Sequence, residues 1–256
     1  MTIIFSTDII SRGGKERIFS ILTKELLQAN NKLFILAGRK DNDNNYLREY
    51  QINPELILTY NSFNEFRERI SQIKPELVIS WDGISSYYNL LLYKRYSYIF
   101  INASIRHGIR LFRFSHLFRS LVCHLSPYVI ANSEAGFKAN NLKPGKRRFI
   151  LYNGIESKFK NKISAKDQEN LKKKIIPDYQ NNPGIIYISV ANFVPYKDYF
   201  TVFKALQKLK ETQNFYYLVA GDGPLRPEIE NHIVSCGLKE NVILTGRTEN
   251  VSQYLF

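Results

Sequence analysis

The most constraining feature of this sequence is the segment Ile185–Gly246, in which strand-length apolar runs alternate with helical patterns. The runs lie at residues 185–191, 215–220 and 241–245, and two stretches with helical periodicity separate them. This alternation predicts βαβ units and a parallel sheet. Each run ends in a short loop rich in Gly, Pro, Asn or Lys, and ligands of open α/β sheets bind at such carboxyl ends. The segment therefore predicts part of a nucleotide-binding sheet.

The first part of the chain shows the same alternation. Its strand-length runs begin at residues 2–7 and end at residues 149–154, and this regularity predicts one doubly wound α/β domain. The polar, Lys-rich stretch that follows ends in Asn-Asn-Pro-Gly and predicts a connection with one short helix. We therefore predict domains at residues 1–154 and 184–256, joined by a connection at residues 155–183.

The chain is strongly basic, and the excess charge lies mainly in the first domain. Lys and Arg number 36 against 23 Asp and Glu, which gives a formal net charge of +13. Residues 1–154 hold 22 of the basic and 12 of the acidic residues, and no acid occurs between Asp82 and Glu134. A surface of one sign attracts anionic partners.

A basic amphipathic helix is predicted at residues 107–125, and it has two explanations. Its bases Arg110 and Arg113 suit a helix that lies on anionic lipid. The alternative is an ordinary covering helix that packs an apolar stripe on the sheet. That stripe consists of Leu111, Phe114, Phe118, Val122 and Leu125.

Several classes of protein find little support. Cys123 and Cys236 have no paired spacing, which favours reduced thiols in a cytoplasmic protein. The N-terminus lacks the pattern of a signal peptide, and no apolar run approaches ~18 residues. The four histidines show no metal-ligand spacing, and no GxSxG motif occurs. We therefore expect neither a metal site nor a serine hydrolase.

Two glycines, Gly13 and Gly14, stand where a loop at residues 8–14 meets the first helix. Glycines there let backbone approach a ligand, and a helix start offers free N–H donors to phosphate. A flexible turn with positive φ explains them equally well. The pattern is not GxGxxG and no ribose-binding acid follows at the usual distance, which argues against a dinucleotide site.

Three loops of the second domain are candidates for one ligand site. Asn192 to Lys197 follow the first strand of that domain, and Lys197 is placed to reach phosphates at the sheet's carboxyl edge. Gly221-Asp222-Gly223-Pro224 follow the second strand, and Gly246-Arg247 follow the third. Because the carboxyl ends of parallel strands share one edge, we expect these loops to converge.

In order and spacing, these pieces resemble the group 1 glycosyl transferases, the retaining GT-B glycosyltransferases of family four. No single piece is specific, but the set extends from Ile3 to Leu255. The pieces are Gly13-Gly14-x-Glu16-Arg17, Ala131-Asn132-Ser133-Glu134-Ala135-Gly136, Asn153-Gly154-Ile155, Val190-Ala191-Asn192-Phe193-x-Pro195-x-Lys197, Gly221-Asp222-Gly223-Pro224-Leu225-Arg226 and Asn241-Val242-Ile243-Leu244-x-Gly246.

The resemblance implies a GT-B-like α/β fold of two Rossmann-like domains with parallel sheets, the second incomplete. The second domain would hold a nucleotide-diphosphate sugar, and the first would present the acceptor. Lys197 and Arg106 would be catalytic, with Lys197 neutralising the donor diphosphate without a metal. Asn102 and Arg106 would line the acceptor side. The implied donor-binding residues are Gly13, Gly14, Asn192, Lys197, Gly221, Gly223, Gly246 and Arg247.

The function implied is transfer of a hexose, with retention, from a nucleotide sugar to a saccharide or lipid-linked acceptor. Synthesis of cell-surface polysaccharide by a cytoplasmic protein, peripheral on the inner face of the cell membrane, fits this reaction and the basic charge. The nucleotide sugar is the co-substrate, and an anionic membrane surface is a candidate partner. Neither a further cofactor nor a nucleic-acid partner is expected.

The sequence departs from the family pattern in two places. Asn192 stands where many members carry Arg, so one phosphate-binding charge is absent. The family's pair of glutamates follows a strand that would lie beyond Phe256, which suggests a truncated chain. The alternatives are therefore a non-catalytic GT-B relative that acts as a binding module and, with a poorer fit to the motifs, a GT-B nucleotide-sugar epimerase.

Overall fold

The computed structural model describes residues 1–11, 13–40, 45–106, 114–154, 164–176, 179–248 and 254. The chain divides into two compact units, Met1–Gly154 and Ile155–Phe256. Each unit contains its own parallel sheet. The predicted α/β fold with two parallel sheets is therefore confirmed.

The first unit is built on a seven-stranded parallel sheet with the order β3-β2-β1-β4-β5-β6-β7. The strands are β1 (Thr2–Ile10), β2 (Lys32–Lys40), β3 (Ile57–Thr59), β4 (Leu77–Ser80), β5 (Ile99–Ile105), β6 (Tyr128–Ala131) and β7 (Arg148–Ile150). The helices are α1 (Gly14–Gln28), α2 (Asn45–Glu49), α3 (Phe63–Ile73), α4 (Gly83–Leu92), α5 (Phe114–Leu125) and α6 (Glu134–Ala139). The order reverses direction between β1 and β4, as a doubly wound sheet requires.

Helices cover this sheet on both faces, and alternate residues of β1 show how. Phe5 packs with Phe19 of α1, at 5.1 Å between ring centroids, and with Trp81. Ile4, which points to the opposite face, belongs to a cluster with Phe66 of α3 and Leu92 of α4. A strand buried on both faces reads as a continuous apolar run, as the first strand does in the sequence.

β1 extends beyond the strand predicted at residues 2–7, and its added residues pair with β2. Ile9 pairs with Arg39, and Ile10 pairs with Lys40. The predicted loop at residues 8–14 is therefore wrong for its first three residues, because each strand gives the other a pairing partner. The short helix α2, which begins at Asn45, has no counterpart in the sequence prediction.

The second unit has a three-stranded parallel sheet with the order β10-β9-β8. Its elements are α7 (Ala165–Ile175), β8 (Ile185–Val190), α8 (Tyr199–Leu209), β9 (Phe215–Ala220), α9 (Arg226–Ser235) and β10 (Val242–Gly246). Every residue of β9, the central strand, is buried. Phe203 of α8 and Ile229 of α9 pack with Val219 in one core cluster.

The stretch predicted as an interdomain connection packs, where it is described, against the second sheet. Ile176, at the end of α7, is buried with Tyr216 and Leu218. The Tyr179 hydroxyl donates to the carbonyl of Gly184 at 3.2 Å, and its ring lies 5.9 Å from that of Tyr216. Ile175, Ile176 and Tyr179 thus cover one face of β9.

The predicted helix at residues 107–125 is described only as α5, from Phe114 onward, and Leu111 lies outside the described residues. Val122 is buried, as the covering-helix explanation requires, but Leu125 is exposed. The predicted apolar stripe is therefore wrong at Leu125. Within the part of the chain that the structure describes, no helix has the length and apolarity to cross a membrane.

Candidate functional site

The reversal of strand order opens a crevice at the carboxyl ends of β1 and β4. β1 leads into α1 and β4 leads into α4, and the two helices pack on opposite faces of the sheet. Ligands of doubly wound folds bind at such a position, outside the strand ends. In the first unit this crevice is occupied by a cluster of ionisable side chains, which we name the switch-point cluster: Asp8, Lys15, Glu16, Asp82 and Arg106.

Asp82 is at the centre of the switch-point cluster. Its Oδ2 accepts hydrogen bonds from Lys15 Nζ at 2.8 Å, from the Asp8 amide at 3.0 Å and from the Thr7 hydroxyl. Lys15 Nζ also donates to the Ile9 carbonyl at 2.7 Å. The side chains of Lys15 and Asp82 are only 9% and 11% exposed. This is a buried, hydrogen-bonded ion pair that ties α1 to the end of β4.

Arg106 completes the cluster from the end of β5. Its Nη2 donates to Asp82 Oδ1, and its side chain is 28% exposed. Its Nε is buried and finds no acceptor among the described residues. A buried N–H without an acceptor costs about 1–3 kcal/mol, so such a group suits a site that a ligand completes. Asp82 therefore fixes the Arg106 guanidinium, whose Nε–H is left without an acceptor among the described residues.

Asp8 caps the helix that Asp82 precedes. The backbone amides of Ile84 and Ser85 in the first turn of α4 donate to the Asp8 carboxylate at 2.9 and 2.6 Å. Asp82 occupies the N-cap position itself but makes no side-chain cap, because its carboxylate is bound to Lys15. The two aspartates thus share the work of fixing α4.

The electrostatics of the two aspartates differ in sign. Burial acts to raise the pKa of Asp82, but the charges of Lys15 and Arg106 outweigh it and hold that pKa below the ordinary carboxyl value. For Asp8, burial dominates and raises the pKa, although the amides of Ile84 and Ser85 oppose it. Asp82 is therefore firmly ionised, whereas Asp8 takes up a proton more readily.

The Gly13–Gly14 loop lies at the start of α1, next to this cluster. Gly13 has φ −167° and ψ 179°, which is extended backbone open to any residue, so the alternative of a turn with positive φ does not apply to Gly13. A Cβ on Gly13 would lie 2.9 Å from Glu16 Oε2, whereas one on Gly14 would meet nothing within 4 Å. The carboxylate of Glu16 packs over Gly13 and accepts from Ser11.

The structure does not support the predicted acceptor contact of Asn102, which is fully buried. Its Nδ2 donates to the Ser126 hydroxyl at 3.0 Å, and its Oδ1 accepts from the Ser104 amide at 3.0 Å. Oδ1 also accepts from the Ser86 hydroxyl at 3.2 Å. Asn102 therefore orders the end of β5, which carries Arg106.

The sequence prediction missed Asp8 and Asp82 as site residues. The signal was their position, because each follows directly on the apolar core of a predicted strand. Strand order 3-2-1-4 would have placed the ends of strands one and four side by side. The prediction of a doubly wound domain did not include that order, and so the two acids were not connected.

In the second unit, backbone hydrogen bonds join the three predicted loops. The Phe193 amide, after β8, donates to the Asp222 carbonyl, after β9, at 3.0 Å. The Leu225 amide returns a bond to the Phe193 carbonyl at 3.3 Å, and the Gly221 amide donates to the carbonyl of Gly246 at 2.9 Å. The structure thus brings the three loops together at one edge of the sheet.

Gly221 and Gly223 allow this close approach. A Cβ on Gly221 would lie 1.9 Å from the Ala191 carbonyl oxygen, and one on Gly223 would lie 2.6 Å from that of Phe193. Gly246 has φ +74°, a left-handed conformation that favours glycine. The three glycines are therefore explained by backbone packing within the unit. Their predicted role as donor-binding residues stays a prediction.

Lys197 lies in a short 3-10 turn, Pro195–Lys197, just before α8. Its side chain is exposed, its Nζ lies 5.7 Å from the centroid of the Tyr196 ring, and it forms no ion pair within the described residues. Asp198, with φ +50°, caps α8 by accepting from the Thr201 amide at 3.4 Å. A cation thus stands beside a helix N-terminus, two features that favour an anion.

The remaining predicted residues flank this position. Asn192 is exposed and lies two residues after the end of β8. Arg247, the residue after Gly246, is also exposed. Arg226, which was not predicted, lies between the loops: it pairs with Asp222 at 3.5 Å and with Glu230 at 2.8 Å. Among the residues described, no group of three His, Cys, Asp or Glu could hold a metal ion.

Replacing Asp82 with Asn tests the switch-point cluster. The substitution leaves the buried ammonium of Lys15 with Glu16 Oε1, at 3.1 Å, as its only carboxylate partner among the described residues. We expect D82N to lower the free energy of unfolding at pH 7 by roughly 3 kcal/mol, measured by urea denaturation. The exposed Glu211→Gln substitution is the control and should change it by less than about 0.5 kcal/mol.

The difference in unfolding free energy between wild type and D82N should depend on pH. Because the pKa of Asp82 is lower in the folded state than in the unfolded state, its contribution is complete above the ordinary value of about 3.9. That contribution is lost as the pH falls through the folded-state pKa. The difference in stability between wild type and D82N should therefore shrink in acid, and a constant difference would contradict the buried ion pair.

Replacing Gly221 with Ala tests the joined loops. The new Cβ would force β8 and β9 apart at their ends, so we expect G221A to cost at least about 3 kcal/mol of stability. Hydrogen exchange of the Phe193 amide should accelerate with it. Gly83→Ala is the control, since a Cβ there meets nothing within 4 Å. Equal stability of G221A and G83A would show that the loops do not approach so closely.

The family match and the similarity to solved structures cover different parts of the chain. Residues 167–255, most of the second unit, match the family model of the glycosyl transferases group 1. No curated protein matches the sequence as a relative. The similarity to solved structures, in contrast, covers both units.

Three solved structures illustrate this similarity. HepE from Anabaena in complex with UDP has a TM-score of 0.79 at 15% identity, covering 100% of this chain and 71% of HepE. The lipopolysaccharide outer core galactosyltransferase WaaB gives 0.65 at 18%, with 100% and 70% covered. Sucrose-phosphate synthase from Thermosynechococcus elongatus gives 0.71 at 15%, with 99% and 72% covered.

The matches agree with the motifs from which the resemblance was inferred. At such low identity the solved structures establish the fold, and the family match adds the relationship of residues 167–255. The chain has the GT-B fold, and its resemblance to the group 1 glycosyl transferases is confirmed.

Proposed function

We propose that this protein transfers a hexose from a nucleotide-diphosphate sugar to a saccharide or lipid-linked acceptor. The observation that carries the proposal is the joining of three loops at the carboxyl edge of the second sheet, with Lys197 exposed beside them. This region lies within the residues that match the glycosyl transferases group 1. Glycosyl transfer is therefore the chemistry that both the geometry and the family support.

The donor diphosphate would bind at the start of α8. The first turn of a helix presents unpaired backbone N–H groups and the positive end of the helix dipole. Lys197 adds a full charge directly before that turn, where no described ion pair neutralises it. As the bond to the sugar breaks, negative charge grows on the diphosphate, and Lys197 stabilises the leaving group.

A uridine nucleotide is the best-supported donor. HepE, whose structure is similar to the whole of this chain, was solved with UDP and with UDP-glucose. Asn192, Gly221, Gly223, Gly246 and Arg247 would surround the nucleotide in that proposal. Gly221 and Gly223 let the loops pack against each other, which brings their backbone groups to one edge of the sheet. Retention of configuration and the absence of a required metal belong to the same proposal.

The first unit would present the acceptor at the switch-point cluster. Arg106 is held in place by Asp82, yet its Nε remains without an acceptor among the described residues. A hydroxyl of an acceptor sugar, or a phosphate on its carrier, would satisfy that donor. Asn102 acts through Arg106 by ordering the end of β5, and the Gly13–Gly14 loop borders the same crevice.

The biological setting proposed is synthesis of cell-surface polysaccharide, at the cytoplasmic face of the membrane. WaaB, one of the similar structures, is a galactosyltransferase of the lipopolysaccharide outer core. The basic first unit suits anionic lipids and lipid-linked diphosphates.

The role of Lys197 is tested by its replacement with Ala. Loss of a charged hydrogen bond to phosphate should weaken binding of UDP-glucose about tenfold to a hundredfold, because such bonds contribute roughly 1.5–3 kcal/mol. Isothermal titration calorimetry measures the dissociation constant directly. Lys204→Ala is the matched control, since Lys204 is equally exposed on α8 but lies in its middle.

Three outcomes separate the alternatives. Weaker binding by K197A, with K204A unchanged and UDP released in the presence of acceptor, supports the transferase. Binding of UDP-glucose by wild type without release of UDP from any acceptor would match a binding module instead. Equal affinity of K197A and wild type would remove Lys197 from the donor site.

A further inference from the structure

The outer face of α5 carries three leucines that the sheet leaves uncovered. Leu117, Leu121 and Leu125 follow at intervals of four residues, and they are 60%, 56% and 58% exposed. Residues four apart lie on one face of a helix, so the three form a continuous apolar stripe. Val122 and Cys123, on the opposite face, are buried against the sheet. A single exposed leucine is ordinary, but a contiguous apolar stripe marks an interaction surface.

A strongly basic turn lies at one end of this stripe. Residues 143–148 join α6 to β7 and contain Lys143, Lys146, Arg147 and Arg148. Together with Leu125 they line an open cavity of about 600 Å³. None of the described residues that line this cavity is acidic. The apolar stripe and the basic turn therefore form one continuous surface, which we name the α5 face.

We propose that the α5 face is a docking surface for an anionic lipid membrane. Surfaces that dock on membranes combine exposed apolar side chains, which enter the boundary between headgroups and acyl chains, with Lys and Arg, which attract lipid phosphates. The leucine stripe provides the first component and the basic turn provides the second. The distribution of charge in the sequence agrees, since Glu134 is the only acid between Asp82 and Glu156.

Two other occupants fit the surface less well. A nucleic acid would bind the basic turn, but its charged phosphate backbone would not bury three exposed leucines. A second copy of the chain could cover the leucines, but residues 114–148 offer only Glu134 as a partner for the basic turn. Charge and apolarity together therefore favour lipid.

The position of the α5 face suits a protein that acts on membrane-linked acceptors. α5 follows β5, whose end carries Arg106, and runs to the amino end of β6. The leucine stripe therefore extends along the side of the sheet from the edge that holds the switch-point cluster. This inference goes beyond the proposed reaction, because lipid binding is measured without donor or acceptor.

Co-sedimentation with vesicles tests the proposal on the full chain. Wild type should bind vesicles of phosphatidylcholine that contain phosphatidylglycerol and should not bind phosphatidylcholine alone. The double variant Lys146→Glu/Arg147→Glu should bind at least about 25-fold more weakly, since each base near an anionic surface contributes about fivefold. Leu121→Ser should weaken binding about tenfold, through lost apolar burial.

Matched controls come from the second unit. Lys204→Glu/Lys208→Glu makes the same change in net charge at exposed positions of α8. Val234→Ser removes an apolar side chain that is 63% exposed on α9. Both controls should bind vesicles as wild type does, and circular dichroism should show that all four variants fold.

Four results would overturn the proposal. Wild type could fail to bind anionic vesicles, or the α5-face variants could bind as tightly as the controls. Binding that heparin abolishes, and that L121S leaves unchanged, would indicate a polyanion site. A concentration-dependent dimer that L121S dissociates would show that the stripe is an interface between copies of this chain. None of these results would affect the donor binding measured for K197A.

Discussion

The arrangement of the strand ends in the first unit depends on one buried carboxylate, that of Asp82, which requires charged and hydrogen-bonding partners. Asp82 is 11% exposed, and an ion so far removed from water is tolerated only when it is paired and hydrogen-bonded. Its partners come from three places: Thr7 on β1, Lys15 on α1 and Arg106 directly after β5. One side chain after β4 therefore fixes the ends of its neighbours. The proposed acceptor site is built from this constraint.

In the second unit the constraint is instead the close approach of backbone to backbone. Its loops are joined through main-chain hydrogen bonds, and Gly221 and Gly223 are required because any larger side chain would collide with the backbone of the residues that follow β8. The result is a sheet edge at which the three loops are held together. Lys197 lies beside these loops as an exposed charge, so the proposed anion site combines joined backbone loops with an exposed cation.

The sequence predicted that the three loops of the second unit converge, but it did not predict the switch-point cluster of the first unit. The loops that contain Lys197, Gly221 and Gly246 were identified because each follows an apolar run, and position after a strand is a local signal. Asp82 was missed and Asn102 was misassigned because their roles depend on what lies across the sheet. Nothing near Asn102 in the sequence indicates that Ser86 and Ser126 consume its amide, since the contacts span 16 and 24 residues.

The sequence by itself determined the α/β class, the two parallel sheets and the resemblance to the group 1 glycosyl transferases, because apolar periodicity and loop motifs are local properties of the chain. Only the tertiary structure decided which strand ends meet. It placed β1 beside β4, extended β1 to Ile10 by pairing with β2, and left Leu117, Leu121 and Leu125 outside the core. The physical reason is that burial and pairing are set by neighbours distant in sequence, and a local pattern does not specify which neighbours those are.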